Sequence, residues 1–428
     1  MKILITNIVT LNAGDAAILY ATIDVLRATF GNDTQFIVYD NHGDAPARYY
    51  PDLVFRKLSF FSRKAGGSDS RLLQRFHDIR FQVGLWSVKH NIPWLAHTVL
   101  SSTERRDILE YRNADLIVSS GGTYLVENYS LAPRIFDYQL SLYLEKPLVF
   151  FTQSLGPFSN PANRKALRPI FDNSVAILVR DELSAANLEE LGVRSTKIHQ
   201  TADAAFALTD LAALEAAKVK SLGPERKLRV AVSVREWRHF KAIEPALGMT
   251  RYIEAIRSLT VHLVEDYSAE VIFVSTCQGI PEYWTDDSKL AQVTVDGLPD
   301  TIRRSVLVDS TFRRPADLVA MLKNFDLVIA TRMHMAIMAL AAGTPVLPIA
   351  YEFKMLGLFQ RLGQARWVQD LEAISGATLI KTFDEFLEAL PQMRESLFTA
   401  VAGEHASAVT SGQIVKQAYD DWREAKHK

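Results

Sequence analysis

Short runs of Val, Ile and Leu alternate along the chain with longer stretches in which apolar residues recur every three or four positions, the period of a helix lying on a core. In the first half this pattern predicts strands at about Lys2–Asn7, Gln35–Tyr39, Asp115–Ser119, Pro147–Gln153 and Val175–Arg180. Between the first two, Asp15–Phe30 reads as an amphipathic helix, with Ile18, Leu19, Val25 and Leu26 at helical spacing. Phe206–Lys227 loses strand character and carries Ser221-Leu-Gly-Pro-Glu-Arg-Lys, as an interdomain connection would. A second series follows at Leu228–Val234, Glu270–Thr276, Ser305–Val308, Phe325–Ala330 and Pro345–Ala350, and helices close the chain. Strands alternating with helices mean parallel sheets covered by helices. The expected architecture is therefore α/β, with two Rossmann-like domains at residues 1–205 and 228–428 joined by 206–227. The cleft between them is expected outside the carboxyl ends of the strands, where open α/β sheets take their ligands.

Length supports the division, because 428 residues exceed what one hydrophobic core usually holds. The composition, 48% hydrophobic and 23% charged, excludes a largely disordered or collagen-like chain. With 48 Lys and Arg against 49 Asp and Glu, the net charge of −1 offers nothing global to a nucleic acid, so no nucleic-acid partner is expected. A lone Cys277 forms neither an internal disulfide nor a thiolate zinc site, which suits the reducing cytoplasm. The apolar start contains Thr6 and Asn7 and runs into Asn12-Ala-Gly-Asp15, so it reads as a strand rather than a signal peptide. Met335–Tyr351 is broken by Gly343, Pro345 and Pro348 and is too interrupted to span a membrane.

One stretch departs from neutrality. Between Arg56 and Lys89 basic residues far outnumber Asp69 and Asp78, and Phe60, Phe61, Phe76, Phe81 and Trp86 are interspersed, with Trp94 just beyond. Such a composition suits the interface of an anionic membrane. It equally suits an ordinary amphipathic helix whose aromatics face the core.

The sharpest chemical signal is Phe325–Ala330 followed by Thr331-Arg-Met-His-Met and an apolar helix ending at Gly343. Thr331 can cap this helix, whose first-turn N–H groups favour an anion. Arg332 and His334 then bring a fixed charge and a titratable imidazole to the strand's carboxyl end. His334 also shares a face with Ile337, Met338 and Ala341, as a core histidine would. Arg235 leaves the first strand of the same half, where it either joins Arg332 around a doubly anionic ligand or pairs with the adjacent Glu236. In the first half, Asn12, Gly14 and Asp15 surround one strand-to-helix turn and Ser119-Ser-Gly121-Gly122-Thr follows another strand, with Glu127 beyond. Asp15 suits a substrate contact or a helix N-terminal acid equally well. Arg180-Asp181 reads as a structural ion pair. Neither a GxGxxG fingerprint, a P-loop, an HExxH pair nor a GxSxG elbow is present, so no nucleotide cofactor, metal or serine nucleophile is expected.

Taken in order, Asn12-Ala-Gly-Asp15, Ser120-Gly-Gly-Thr, Gln153-Ser-Leu-Gly-Pro157, Val179-Arg-Asp-Glu-Leu-Ser184, Thr201-Ala-Asp203, Ser233-Val-Arg-Glu-Trp237 and Thr331-Arg-Met-His334 with Ala342-Gly-Thr-Pro-Val346 resemble the polysaccharide pyruvyl transferase family. The resemblance covers about Met1 to Gly363. It implies a GT-B-like pair of domains that transfers the pyruvyl group of phosphoenolpyruvate to a sugar as a ketal, with no further cofactor. By motif, Arg235 and Arg332 would hold the donor, Lys354 would reach its phosphate and His334 would be the acid. Asn12, Asp15, Gly121, Gly122 and Glu127 would lie on the acceptor side, with Asp15, Glu127 and Glu352 as candidate bases. Because the family often serves cell-envelope polymers built on lipid carriers, the basic segment Arg56–Lys89 would bring a cytoplasmic enzyme to the inner membrane face. Two rivals remain open at this stage, a GT-B glycosyltransferase using a nucleotide sugar and a non-catalytic glycan-binding protein of the same fold.

Overall fold

The computed structural model describes residues 1–64, 71–220 and 227–428. Ser221–Arg226 of the expected connection and Ala65–Ser70 of the basic stretch lie outside the described residues. Eight strands form the first sheet: β1 (Lys2–Ile8), β2 (Gln35–Asp40), β3 (Val54–Lys57), β4 (Leu116–Ser119), β5 (Gly122–Leu125), β6 (Leu148–Leu155), β7 (Ala176–Val179) and β8 (Ile198–Gln200). They run in the order β3-β2-β1-β4-β6-β7-β8, with β5 pairing on β6, and every pairing is parallel. The second sheet comprises β9 (Arg229–Ser233), β10 (Glu270–Phe273), β11 (Val306–Val308), β12 (Leu327–Ala330), β13 (Val346–Ala350) and β14 (Gln369–Asp370). Its order is β11-β10-β9-β12-β13-β14, again all parallel. Parallel strands covered on both faces bury nearly every side chain, which is why β12 reads as an unbroken apolar run and β1 and β4 as largely apolar ones.

Contacts divide the chain into two units. One comprises Met1–Thr10, Thr22–Ala204 and Val409–Lys428; the other comprises Leu11–Ala21 and Ala205–Ala408. Each has its own core. In the first, Leu4, Ile37, Ile117, Phe150 and Ile177 come together from five strands, and in the second Val230, Val271, Phe273, Ile329 and Leu347 come together from four.

This division departs from boundaries at 205 and 228 in three places. Leu11–Ala21 belongs with the second unit although it directly follows β1. The C-terminal helix Gly376–His427 enters the first unit at Val409, where Gly412 packs on Val25 and Thr29 and Tyr419 meets Phe30 edge-on at 5.7 Å. The segment from Ala205 is part of the second unit, and its helix Leu211–Lys218 buries Leu214 and Ala217. Asp210 caps that helix through the Ala213 N–H, and its own N–H donates to the Ala341 carbonyl at 3.1 Å. Gly343, at φ 77°, lies so close to the Ala213 carbonyl that a Cβ there would stand 2.8 Å from the oxygen.

Candidate functional site

Winding of the second sheet reverses between β9 and β12, the kind of switch point at which α/β sheets bind ligands. Ala330 at the end of β12 pairs with Ser233 at the end of β9 on one side and with Pro348 of β13 on the other. Arg235 and Arg332 each lie two positions beyond the paired ends, and Tyr351 directly follows β13. Three neighbouring strands therefore deliver three polar side chains to one edge of this sheet.

Arg332 is the N-cap residue of the helix Met333–Ala341, and its side chain makes no capping hydrogen bond. The expectation that Thr331 caps it is corrected: the Thr331 hydroxyl shares a 2.7 Å hydrogen bond with Tyr252 OH inside the core. The Arg332 guanidinium forks onto Asp287, with Nε donating to Oδ2 at 2.8 Å and Nη2 to Oδ1 at 2.7 Å. Asp287 is buried in the first turn of Asp287–Asp296 and also accepts from Ser275 Oγ at 2.5 Å. Burial works against the charge on Arg332, but the Asp287 carboxylate outweighs it and holds the guanidinium well above its ordinary range. The fork uses one edge of the guanidinium and leaves the Nη1 edge outside it.

Arg235 does not pair with Glu236, which accepts from Arg238 Nε at 2.8 Å instead. Its Nη1 donates to Tyr351 OH, and the guanidinium carbon stands 4.2 Å from the Tyr351 ring centroid and 5.3 Å from that of Trp237. Burial pushes the Tyr351 phenol up, and the nearby charges of Arg235 and Arg332 pull it back only in part. Tyr351 thus lies in the fields of both arginines.

His334, half-buried in the first helical turn, rests directly on the chain at Gly14. A Cβ at Gly14 would come within 2.7 Å of His334 Cβ and 2.9 Å of its Nδ1, so only glycine allows this approach. The loop carrying Gly14 is held by Asn12, whose Oδ1 accepts from the Gly14 N–H at 2.9 Å, and by the Ala13 N–H, which donates to the Thr276 carbonyl at 3.0 Å. Asp15 is close enough to raise both the Cys277 thiol and the Tyr283 phenol, although burial is the larger cause for each. The thiol is pushed up to about 12, which removes Cys277 as a nucleophile. Asn12 and Asp15, expected on the acceptor side, therefore belong to the same unit as His334, Arg235 and Arg332. Lys354 also lies in this unit, its Nζ 3.2 Å from Glu352 at the start of the helix Phe353–Arg361.

The remaining expected residues lie in the first unit, in and around β5. Gly122, at φ 125°, opens β5 with its α-carbon against the Tyr124 ring, where a Cβ would stand 2.6 Å from Cε2. Gly121 precedes it in the bend that leaves β4, whose strand end is fixed by Gln153 Nε2 donating to the Ser119 and Ser120 carbonyls at 3.1 and 2.9 Å. Glu127 accepts from the N–H and hydroxyl of Ser159, the Asn160 N–H and Asn163 Nδ2, all within 3.1 Å. Slight burial raises its carboxyl, but these hydrogen bonds prevail and lower it to about 2. So weak a base is ill suited to accept a hydroxyl proton, and Glu127 acts instead as a clamp on the start of the helix Pro161–Asn173. With Tyr129, Ser130 and Asn163 it lines an open, polar hollow of about 580 Å³. Arg180 pairs with Asp203 rather than with Asp181, which caps the helix Glu182–Glu190 through the Ser184 N–H.

Asp287, Tyr351 and the intimate Gly14–His334 packing were not foreseen. Tyr351 had a visible cue, its position directly after a predicted strand, whereas nothing local marks Asp287 as the partner of an arginine 45 positions away. Among the described residues no group of three or more His, Cys, Asp or Glu is placed to hold a metal ion.

Residues 12–352 match the profile of the family described as polysaccharide pyruvyl transferase. The amylovoran biosynthesis protein AmsJ of Erwinia amylovora is 26% identical over 296 residues, 68% of this chain and 69% of that protein. In structure the chain is similar to a glycosyltransferase from Rickettsia africae (TM-score 0.57, 11% identity, 99% of this chain and 98% of the other). It is similar as well to Anabaena Alr3699/HepE in complex with UDP (0.57, 13%, 98% and 100%) and to the UDP-GlcNAc 2-epimerase of Neisseria meningitidis (0.53, 14%, 98% and 99%). At these identities the structural likenesses establish a shared α/β fold with two parallel sheets.

Proposed function

Since the chain belongs to the polysaccharide pyruvyl transferase family, we propose that it moves the pyruvyl group of phosphoenolpyruvate onto a sugar of a cell-envelope or exopolysaccharide glycan, as a ketal, with release of phosphate. The observation that carries this reading is the convergence of Arg235, Arg332 and the His334-bearing helix start at the switch point of one sheet. A small ligand with a carboxylate and a phosphate matches two guanidinium groups beside the positive end of a helix dipole. Arginine cannot exchange protons at neutral pH, whereas imidazole gives and retakes them.

In the proposed reaction His334 delivers a proton to the terminal methylene carbon of the donor, which becomes a methyl group. The adjacent carbon becomes electrophilic, a sugar hydroxyl oxygen bonds to it, and its bond to the phosphate oxygen breaks. A second hydroxyl of the same sugar closes the ketal, both hydroxyls surrender their protons, and phosphate departs with the electron pair. Arg235 and Arg332 offset the donor's charge and stabilise the leaving phosphate, with Lys354 as a further phosphate contact. Asp15, next to Gly14, is the favoured base, because Glu127 is held too acidic for the task. Asn12 is assigned an acceptor contact within the unit of the donor residues; in the first unit Gly121, Gly122 and Glu127 are the acceptor residues that the family motifs imply, and the polar hollow beside Glu127, with Tyr129, suits a sugar.

Phosphoenolpyruvate-dependent phosphate release across a panel of free and lipid-linked glycans tests the reading, with mass analysis of the product. A gain equal to pyruvate less one water is expected. Phosphate release absent with every acceptor, together with turnover of a nucleotide sugar, would replace the proposal by a glycosyltransferase.

A further inference from the structure

The helix Arg71–Lys89 is apolar on two sides. Phe81, Leu85 and Val88 enter the core of the first unit, as an ordinary amphipathic helix requires. Phe76, Ile79, Val83 and Trp86 recur at the same helical period on another face, and that face is bare: Phe76 and Ile79 are each 64% exposed and Trp86 45%. His90 extends the row, its ring 4.8 Å from that of Trp86. On the adjoining helix Pro93–Val99, Trp94 is 69% exposed. Single exposed apolar residues are unremarkable, but four at helical spacing with a second tryptophan beside them form a surface that water does not favour.

The helix carrying this surface is firmly seated. Gly84 packs so tightly on Leu100 that a Cβ would overlap it, and Arg80 Nη2 holds both oxygens of the buried Glu104 at 2.6 and 2.8 Å. Lys89 Nζ donates to the Tyr143 carbonyl at 2.9 Å and lies 2.9 Å from a Glu145 oxygen. The stripe is therefore held outward by rigid contacts rather than left over from a loose element.

We propose that this stripe is a docking surface for an anionic lipid bilayer, with Phe76, Trp86 and Trp94 entering the interface. Two observations select a bilayer over a protein partner. From Arg56 to Arg112 basic residues outnumber acidic ones by about two to one, in a chain whose net charge is −1, so the region bearing the stripe carries a local positive surplus. The exposed residues are also those of an interfacial anchor: tryptophan and phenylalanine on one face, with exposed Arg75 beside them. No helix among the described residues is long and apolar enough to cross a membrane, so the attachment is peripheral. This surface stands apart from the transfer chemistry and does not depend on it.

The test uses the full chain in co-sedimentation with sucrose-loaded vesicles of phosphatidylcholine, with and without phosphatidylglycerol, beside the variant Phe76→Ser/Trp86→Ser/Trp94→Ser. All three side chains are exposed, so the variant should keep the wild-type circular dichroism and melting temperature. Wild-type protein is expected on phosphatidylglycerol vesicles, weakly on phosphatidylcholine alone, with binding reduced by salt. The triple variant should bind at least about tenfold more weakly, since each lost ring removes apolar burial at the interface. Equal binding of variant and wild type, or no wild-type binding to the anionic vesicles, would overturn the proposal. A wild-type dimer in light scattering that the variant converts to monomer, without vesicle binding, would assign the stripe to a second copy of the chain instead. Phosphate release with a soluble acceptor should be equal in wild type and variant, so a failure of the transferase reading and a failure of this one are told apart.

Discussion

Gly14 and Asp287 illustrate how residues given no part in the proposed chemistry shape a candidate reaction centre. Gly14 is required because the His334 ring occupies the volume of its missing side chain. Gly14→Ala must displace the imidazole or the loop, at a cost of about 1–3 kcal/mol in stability. Turnover should fall by about a hundredfold, since a shift of an ångström in a reacting group is enough to do so. Phosphate-release kinetics beside a urea titration check this, and an alanine variant with wild-type turnover would separate His334 from the chemistry. Asp287 is buried and its carboxylate is the counter-charge of Arg332. Asp287→Ala leaves that guanidinium buried without its partner and should cost about 3–5 kcal/mol. Where the variant folds, the donor KM should rise with it, because Arg332 loses the fork that aims it.

At the scale of elements, most strands that were legible are buried on both faces, where consecutive Val, Ile and Leu leave an unmistakable run; the edge strand β11 was legible despite its exposed Leu307. Those added by the structure lack this signature. β3, Val-Phe-Arg-Lys, is an edge strand with charged residues; β5 begins with glycine; β8 and β14 are three and two residues long. Caps were legible in type but not in partner. Thr331 looked like a cap and became a core hydroxyl, while Glu127 looked like chemistry and became the clamp of a distant helix. That clamp has a pH signature. The Glu127 carboxyl is lowered from 4.5 to about 2, so its contribution to stability is present above about pH 4.5 and is lost as pH falls toward 2. Hydrogen-exchange protection factors across Pro161–Asn173, which correct for the intrinsic pH dependence of exchange, should fall on acidification through this window, and Glu127→Gln should flatten the response. The same substitution should leave the neutral-pH limb of the turnover profile unmoved, because a group so acidic does not titrate there.

For the molecule as a whole, the two-sheet α/β plan was readable from the alternation of strand and helix patterns, whereas the assignment of segments to units was not. Periodicity reports which face of an element is apolar, not which core receives it. Leu11–Ala21 and Val409–Lys428 have helical patterns that would serve either core, and only tertiary contacts decide. The consequence reaches function: with Asn12 and Asp15 in the unit of Arg235, Arg332 and His334, a histidine, an acid and two arginines belong to one folded body. Residues far apart in the sequence thereby belong to the one folded body that carries the proposed donor site.

The central claim is that these arginines hold a small, highly charged enol phosphate while His334 acts on it. Calorimetric titration of phosphoenolpyruvate into wild type, Arg235→Ala, Arg332→Lys and His334→Ala, each followed by the phosphate-release assay, tests it most directly. Both arginine variants should bind at least about tenfold more weakly, whereas His334→Ala should bind within about threefold of wild type and release no phosphate. Wild-type affinity in both arginine variants, or undiminished phosphate release by His334→Ala, would contradict the account.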